Sequence, residues 1–101
     1  MSGVRVGVCE ECGTQRFPLQ VWCAVCGSDR IEVAVGTKGT VEETTTVRHV
    51  PGHLGPPVHI GTVRLAGGAR VIARLEALAE EGSAVELLTV DGAPVARPTA
   101  P

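Results

Sequence analysis

After residue 30, hydrophobic and polar residues alternate in short stretches, and this alternation predicts β-strands. The longest stretch, residues 40–50, is dense in β-branched residues and lies between Gly39 and Pro51. Helical periodicity is almost absent, and only residues 76–81 have a pattern compatible with one or two turns of helix. The other predicted strands are residues 31–35, 58–65, 70–75 and 84–90, with a short return at 94–95.

Two residue pairs between predicted strands are suited to tight hairpin turns. Gly67-Gly68 and Asp91-Gly92 both accommodate the positive φ angles that such turns require. About five strands, with a short helical insert before the fourth, predict a mainly β fold in which residues 31–101 form a five-stranded OB-fold barrel. An open antiparallel sheet is the alternative, because the pattern alone does not close a barrel.

All four cysteines lie in residues 9–26, in two copies of the motif CxxCGxxR that are fourteen residues apart. Two residues between cysteines allow a tight turn to direct both sulfurs at one metal ion, and the following glycine relaxes the backbone where the turn closes. Two such knuckles provide four thiolates, the set that binds structural zinc tetrahedrally. Residues 1–30 are therefore predicted to form a zinc ribbon. Its predicted metal ligands are Cys9, Cys12, Cys23 and Cys26.

Other uses of the four sulfurs are weaker alternatives. Two disulfides are disfavoured in the cytoplasmic setting expected for this chain, and a thioredoxin-like dithiol needs a single CxxC beside a βαβ unit. Iron in a rubredoxin-like site would use the same ligands, so zinc and iron both stay open. A metal with four protein ligands has no free coordination position, and we expect it to be structural rather than catalytic.

Composition argues against two classes of binding partner. The formal net charge is −2, which disfavours nucleic acid because affinity for phosphates comes mostly from Lys and Arg. Phe17 and Trp22 are the only aromatic residues, so platforms for base stacking are nearly absent. No apolar run is long enough for a membrane span or a signal peptide.

We expect Phe17 and Trp22 to cover the knuckles and pack the ribbon on the barrel. The alternative is that Trp22 is an exposed anchor for a partner.

Candidate catalytic residues are few, and we predict no catalytic residue in this chain. Motifs of the GxSxG, HExxH and Walker types are missing. His49, His53 and His59 cluster in the sequence, but no acidic residue is placed to orient them, so loop or surface positions are expected. Glu42 and Glu43 are adjacent, and on a regular strand they point to opposite faces rather than form a pair.

The order of these features resembles a known family. The CxxCG repeat is followed by GTKGTV at residues 36–41, a strand rich in Thr and Val, the segment PPVHIGTVRL at residues 56–65 and a Gly-Gly hairpin. This arrangement resembles domain of unknown function 35, the acyl-CoA-associated OB-fold proteins with a rubredoxin-like zinc ribbon. Many members have a helical extension before the ribbon, whereas here Cys9 follows only eight residues.

The resemblance implies an accessory role. Members of this family accompany thiolase-like or ketoacyl-synthase-like enzymes, including aldolases of the lipid-transfer-protein type, and the nucleophile lies on the partner. This chain is thus expected to be a subunit of a hetero-oligomer in lipid metabolism that helps to bind acyl-CoA. The cations available for the CoA phosphates in the barrel half are Lys38, Arg48, Arg70 and Arg74.

Two other functions compete with this one. A nucleic-acid-binding protein made of a zinc ribbon and an OB-fold is the main alternative, since OB barrels often bind oligonucleotides; the acidic charge and the few aromatic residues count against it. A stand-alone enzyme or an iron-based electron carrier is the other, although the enzyme would lack a nucleophile.

Overall fold

The computed structural model describes residues 2–48 and 57–99, and β-strands are the only regular secondary structure in those two ranges. None of the described segments is a helix long and apolar enough to cross a lipid bilayer. The strands are β1 (Val4–Cys9), β2 (Gln15–Arg16), β3 (Ile31–Gly36), β4 (Lys38–Val47), β5 (Val58–Leu65), β6 (Arg70–Leu75), β7 (Ala84–Val90) and β8 (Ala93–Pro98).

The first three strands form a separate antiparallel sheet in the order β2-β1-β3. β1 was not predicted, although valines at positions 4, 6 and 8 alternate with Arg5 and Gly7 as in a half-buried strand. β3 was predicted as a strand of the second segment, but it pairs with β1 along its whole length, from Val4 opposite Gly36 to Cys9 opposite Ile31. The division of the chain into domains at residues 1–30 and 31–101 stays a prediction.

The other five strands close into a barrel in the order β4-β5-β6-β8-β7, which confirms the mainly β, OB-like fold. Three consecutive antiparallel strands are followed by β7, which returns to pair with the start of β4, while β8 inserts beside β6 in parallel. Both predicted hairpin turns are present. Gly68 has φ of 100° between β5 and β6, and Asp91 and Gly92 have φ of 51° and 79° between β7 and β8.

The predicted helical turn at residues 76–81 is wrong. This segment connects β6 to β7 as irregular chain with bends and a turn. Six residues are too few to offset the cost of helix nucleation without strong packing. The segment is instead fixed at its start by hydrogen bonds to β8. The Glu76 amide donates to the Ala96 carbonyl at 3.0 Å, and the Glu76 carboxylate accepts from Arg97 Nε at 2.7 Å.

Among the described residues, one hydrophobic cluster fills the barrel and extends to the three-stranded sheet. β6 shows the cause, since its residues alternate strictly between exposed and buried. Val4 and Val6 of β1 are almost fully buried in the same cluster as barrel residues such as Leu87, and Phe17 packs against its edge. The segment before β1 is also hydrogen-bonded to β7, because the Gly3 amide donates to the Leu87 carbonyl at 2.8 Å. The small sheet is therefore packed on the barrel rather than tethered to it.

A β-bulge interrupts β4 and changes which side chains share a face. Val41 pairs with Val63 and Glu43 pairs with Thr62, so Glu42 is the extra residue. Glu42 and Glu43 consequently line the same outer cavity together with Arg70, which corrects the expectation of opposite faces. The Glu42 carboxylate accepts a hydrogen bond from Arg70 Nε at 2.8 Å.

Candidate metal centre

The two CxxCG motifs fold into matching knuckles. In the first, the Gly13 amide donates to the Cys9 carbonyl at 2.8 Å, and in the second the Gly27 amide donates to the Cys23 carbonyl at the same distance. Gly13 and Gly27 have φ of 77° and 78°, a backbone conformation that is costly for any residue with a Cβ. The repeated glycine of the motif thus has a local structural cause.

The knuckles bring all four cysteine sulfurs together. The Sγ atoms lie within 4.8 Å of one another, with Cys9 Sγ at 3.5 Å from Cys26 Sγ and Cys12 Sγ at 3.7 Å from Cys23 Sγ. Four sulfurs bound tetrahedrally at about 2.3 Å from zinc are about 3.8 Å apart. The two measured separations fit such a centre, and each joins one knuckle to the other.

Protonation of the sulfurs shows why a cation suits this site. Hydrogen bonds from the Thr14 side chain and backbone lower the pKa of the Cys12 thiol to about 6. The Ser28 backbone hydrogen bond also lowers the pKa of Cys26, but the neighbouring thiols, Cys9 first, and burial outweigh it and raise that pKa to about 12. Four thiolates packed this closely repel one another, and a divalent ion at the centre removes that repulsion.

The donor set fits a closed, structural metal site. Four thiolates suit zinc, and a rubredoxin-like iron would accept the same ligands, so this geometry does not choose between the two metals. Cys9 and Cys23 are buried, whereas Cys12 and Cys26 are exposed, which places the site at the end of the small sheet. Across residues 2–48 and 57–99, no other group of three or more His, Cys, Asp or Glu side chains is close enough to hold an ion.

The two aromatic residues have different surroundings. Phe17 is half-buried and packs against the barrel core, as expected. Trp22 is 56% exposed, and its role as an anchor for a partner stays a prediction. The ring lines a small crevice with Cys9 and Cys23, so it adjoins the knuckles as expected but does not pack the ribbon on the barrel. The reason is that the barrel packs on the opposite face of the small sheet, through Val4 and Val6.

The structure separates the four cations predicted to contact a ligand. Lys38 begins β4 and Arg48 directly follows its last residue, so the length of the strand, on the order of 30 Å, separates them. Arg70 forms an ion pair with Glu42 on the outer face, and Arg74 is four residues further along β6. Two cavities adjoin the β5–β6 turn, and of these four residues Lys38 lines one and Arg70 the other.

A further cation, Arg64, also lies on a predicted strand but was not among the four predicted CoA contacts. It lies opposite Arg70 across β5 and β6 and lines the same cavity as Lys38. The Gly-Gly pair alone did not reveal this pairing, because counting outward from a two-residue turn places Arg64 opposite Val71. The loop has three residues, 66–68, and its closing pair of Leu65 and Ala69 places Arg64 opposite Arg70. His59 donates or accepts one hydrogen bond with the Thr46 hydroxyl at 3.0 Å. The predictions for His49 and His53 fall outside the described residues.

Comparison with known proteins gives one family. Residues 32–96 match the family described as the ChsH2 C-terminal OB-fold domain. A search of curated proteins finds no match.

Two solved structures resemble nearly the whole chain. A chain of the Ltp2–ChsH2(DUF35) aldolase matches with a TM-score of 0.80 and 26% sequence identity, covering 97% of this chain and 86% of that one. A DUF35 protein of unknown function from Sulfolobus solfataricus matches with a TM-score of 0.72 and 18% identity, covering 96% and 76%. Both matches span the ribbon and the barrel, and the second, at 18% identity, supports the fold alone.

Proposed function

Because the chain belongs to the family of ChsH2 C-terminal OB-fold domains, we propose that it is a non-catalytic accessory subunit of a thiolase-like or ketoacyl-synthase-like enzyme. In this role it binds or bridges the enzyme subunits and helps to bind acyl-CoA. The observation that carries the proposal is the match over 97% of the chain to a chain of the Ltp2–ChsH2(DUF35) aldolase.

The partner supplies the reactive nucleophile in this proposal. The four cysteines, the most nucleophilic side chains of this chain, are committed to the metal centre, where a fully ligated ion has no position for substrate. Zinc is the ion we expect, and its role is to hold residues 9–30 in shape. That segment contributes little to the buried cluster besides Phe17, so metal binding is its main source of stability.

The small sheet also offers a surface for the partner. Of the nine large hydrophobic residues exposed in the described ranges, six lie between residues 19 and 35, so the apolar surface is concentrated on the ribbon. Large apolar residues exposed in one region are typical of protein interaction sites, and Trp is among the residue types that most often dominate the binding energy there. We define this surface as the ribbon face and assign it to the thiolase-like subunit. Its residues are Leu19, Val21, Trp22, Val25, Val33 and Val35.

Co-expression with candidate thiolase-like proteins of the source organism tests this function. We expect the two chains to co-purify at fixed stoichiometry, with aldol or thiolase chemistry only when the partner is present. Isolation of this chain alone under these conditions, or activity of this chain without a partner, would refute the proposal.

Substitutions of exposed residues locate the contact. Trp22→Ala is expected to weaken the complex by about thirtyfold or more, the effect typical of a central Trp. Leu78→Ser is the matched control, because Leu78 is an equally apolar exposed residue, 69% accessible, on the barrel. Metal content of both variants should equal that of the wild type. Equal losses of affinity in the two variants would place the contact elsewhere.

Acyl-CoA binding is tested separately by calorimetric titration of acetyl-CoA into the chain alone and into the complex. A saturable heat of binding in either titration supports a role of this subunit in binding acyl-CoA. Absence of a heat of binding in both titrations removes acyl-CoA from the proposal.

A further inference from the structure

Two adjoining cavities border the β5–β6 turn: the first is formed by β4, β5 and the turn, and the second lies where the β2 segment meets the turn and β6. One has a volume of about 390 Å³ and is lined by Lys38 and Arg64 among others. The other, of about 310 Å³, is lined by Arg16 and Arg70. Gly68 borders both, and no carboxylate among the described residues lines either one. A chain with a net charge of −2 therefore carries two neighbouring cavities with only cationic charges.

Three of these four cations lack a charge partner within residues 2–48 and 57–99. Ion pairs there join Arg30 to Glu11, Arg70 to Glu42 and Arg97 to Glu76, which leaves Lys38, Arg64 and Arg16 unpaired. Glu86 is the backbone partner of Lys38 in the β4–β7 pairing, but it forms no ion pair with it and lines neither cavity. The cavities therefore hold uncompensated positive charge.

The placement of Arg64 adds to this charge. It pairs directly with Arg70 on β6 and with Thr40 on β4, so two arginines lie opposite each other on adjacent strands. Like charges in directly opposed positions destabilise a sheet. Glu42 compensates one of the two guanidinium groups and leaves the other facing the first cavity. An anion bound beside Arg64 would relieve this repulsion, and the Thr40 side chain in the same cavity offers a hydroxyl donor.

We propose that the two cavities form a binding site for the phosphate groups of a nucleotide-bearing ligand, with Lys38 and Arg64 on one phosphate cluster and Arg16 on another. The identity of that ligand as acyl-CoA rests on the proposed function. The nucleotide end of CoA carries phosphates at two separated positions, which suits two cavities that share one glycine rim. Arg48 and Arg74, two of the cations expected from the sequence, line neither cavity and have no part in this site.

Titration of the zinc-loaded full chain with adenosine 3′,5′-bisphosphate, followed by calorimetry, tests the site without the partner. We expect saturable binding that Arg64→Gln and Lys38→Gln each weaken about tenfold, as befits loss of a charged hydrogen bond. Arg74→Gln is the matched control, since it removes the same charge from the outer face of β6 outside the cavities. Its affinity should equal that of the wild type.

The outcomes separate this site from the proposed function. Absence of bisphosphate binding, or equal weakening by Arg64→Gln and Arg74→Gln, overturns the site, while co-purification with a thiolase-like protein leaves the accessory role intact. Tighter binding of a single-stranded oligoribonucleotide than of the bisphosphate, with the same dependence on Arg64, also overturns the proposal and assigns the cavities to nucleic acid. Inorganic phosphate should bind more weakly than the bisphosphate, and equal affinity counts against two cooperating cavities.

Discussion

The knuckle glycines allow a direct test of the metal centre. Gly27 has φ of 78°, and a Cβ built on it meets no atom within 4 Å, so its replacement by alanine costs backbone strain without a clash. That strain is about 1–2 kcal/mol for an L-residue in the left-handed region. Because the knuckle must hold this conformation to direct Cys23 and Cys26 at the ion, the strain reduces zinc affinity directly. Gly27→Ala should therefore raise the zinc Kd by about 5- to 30-fold.

Competition with a chromophoric zinc chelator, at one pH and ionic strength, measures this change. Gly68→Ala is the matched control, because Gly68 has φ of 100° and equally open surroundings but lies in the β5–β6 turn, away from the cysteines. It should lower the stability of the barrel and leave the zinc Kd unchanged. Gly27→Asn should recover most of the affinity, since Asn tolerates the left-handed conformation better than Ala. A Gly27→Ala protein that binds zinc within twofold of the wild type would refute the assignment of Gly27 to the knuckle.

Three further predictions concern stability and are checked by urea denaturation. Leu87→Ala removes a side chain that is 0% exposed and should lower the free energy of unfolding by about 2–5 kcal/mol. A decrease below about 1 kcal/mol would contradict the central position of Leu87 in the core. Gly39→Ala would force a Cβ into Val63 Cγ1 and to 2.8 Å from the Arg64 carbonyl oxygen. We expect the free energy of unfolding to fall by about 1–3 kcal/mol. Wild-type stability would contradict this expectation and show that β4 can shift. The Arg97 hydrogen bond lowers the pKa of Glu76, so its stabilisation is present above the unfolded-state pKa and is lost as pH falls through the folded-state pKa. Glu76→Gln should therefore be less stable than the wild type at neutral pH and equal to it in acid, and a difference that persists in acid would contradict the ion pair.

Local features of this protein could be predicted from its sequence because their causes lie within a few residues. The CxxCG repeat places two sulfurs on each tight turn, and its glycines meet the positive φ of 77° and 78° that closes each knuckle. The turns at Gly67-Gly68 and Asp91-Gly92 follow in the same way from the conformations that these residues accept. Strand alternation also predicted β6, since residues two apart share a face whatever the neighbouring strand is.

Tertiary structure decided whatever depends on pairing between distant segments. The bulge at Glu42 exists because Val41 and Glu43 pair with consecutive residues of β5, and only that register puts Glu42 beside Arg70. β3 joins β1 rather than the barrel, which buries Val6 and leaves Trp22 on the open side of the small sheet. Strand registers join residues as far apart in sequence as Lys38 and Glu86. The packing of the whole core sets these registers, and a local pattern cannot specify them. For the same reason the pattern showed the metal ligands, while only the folded chain brought Lys38 and Arg64 to one cavity.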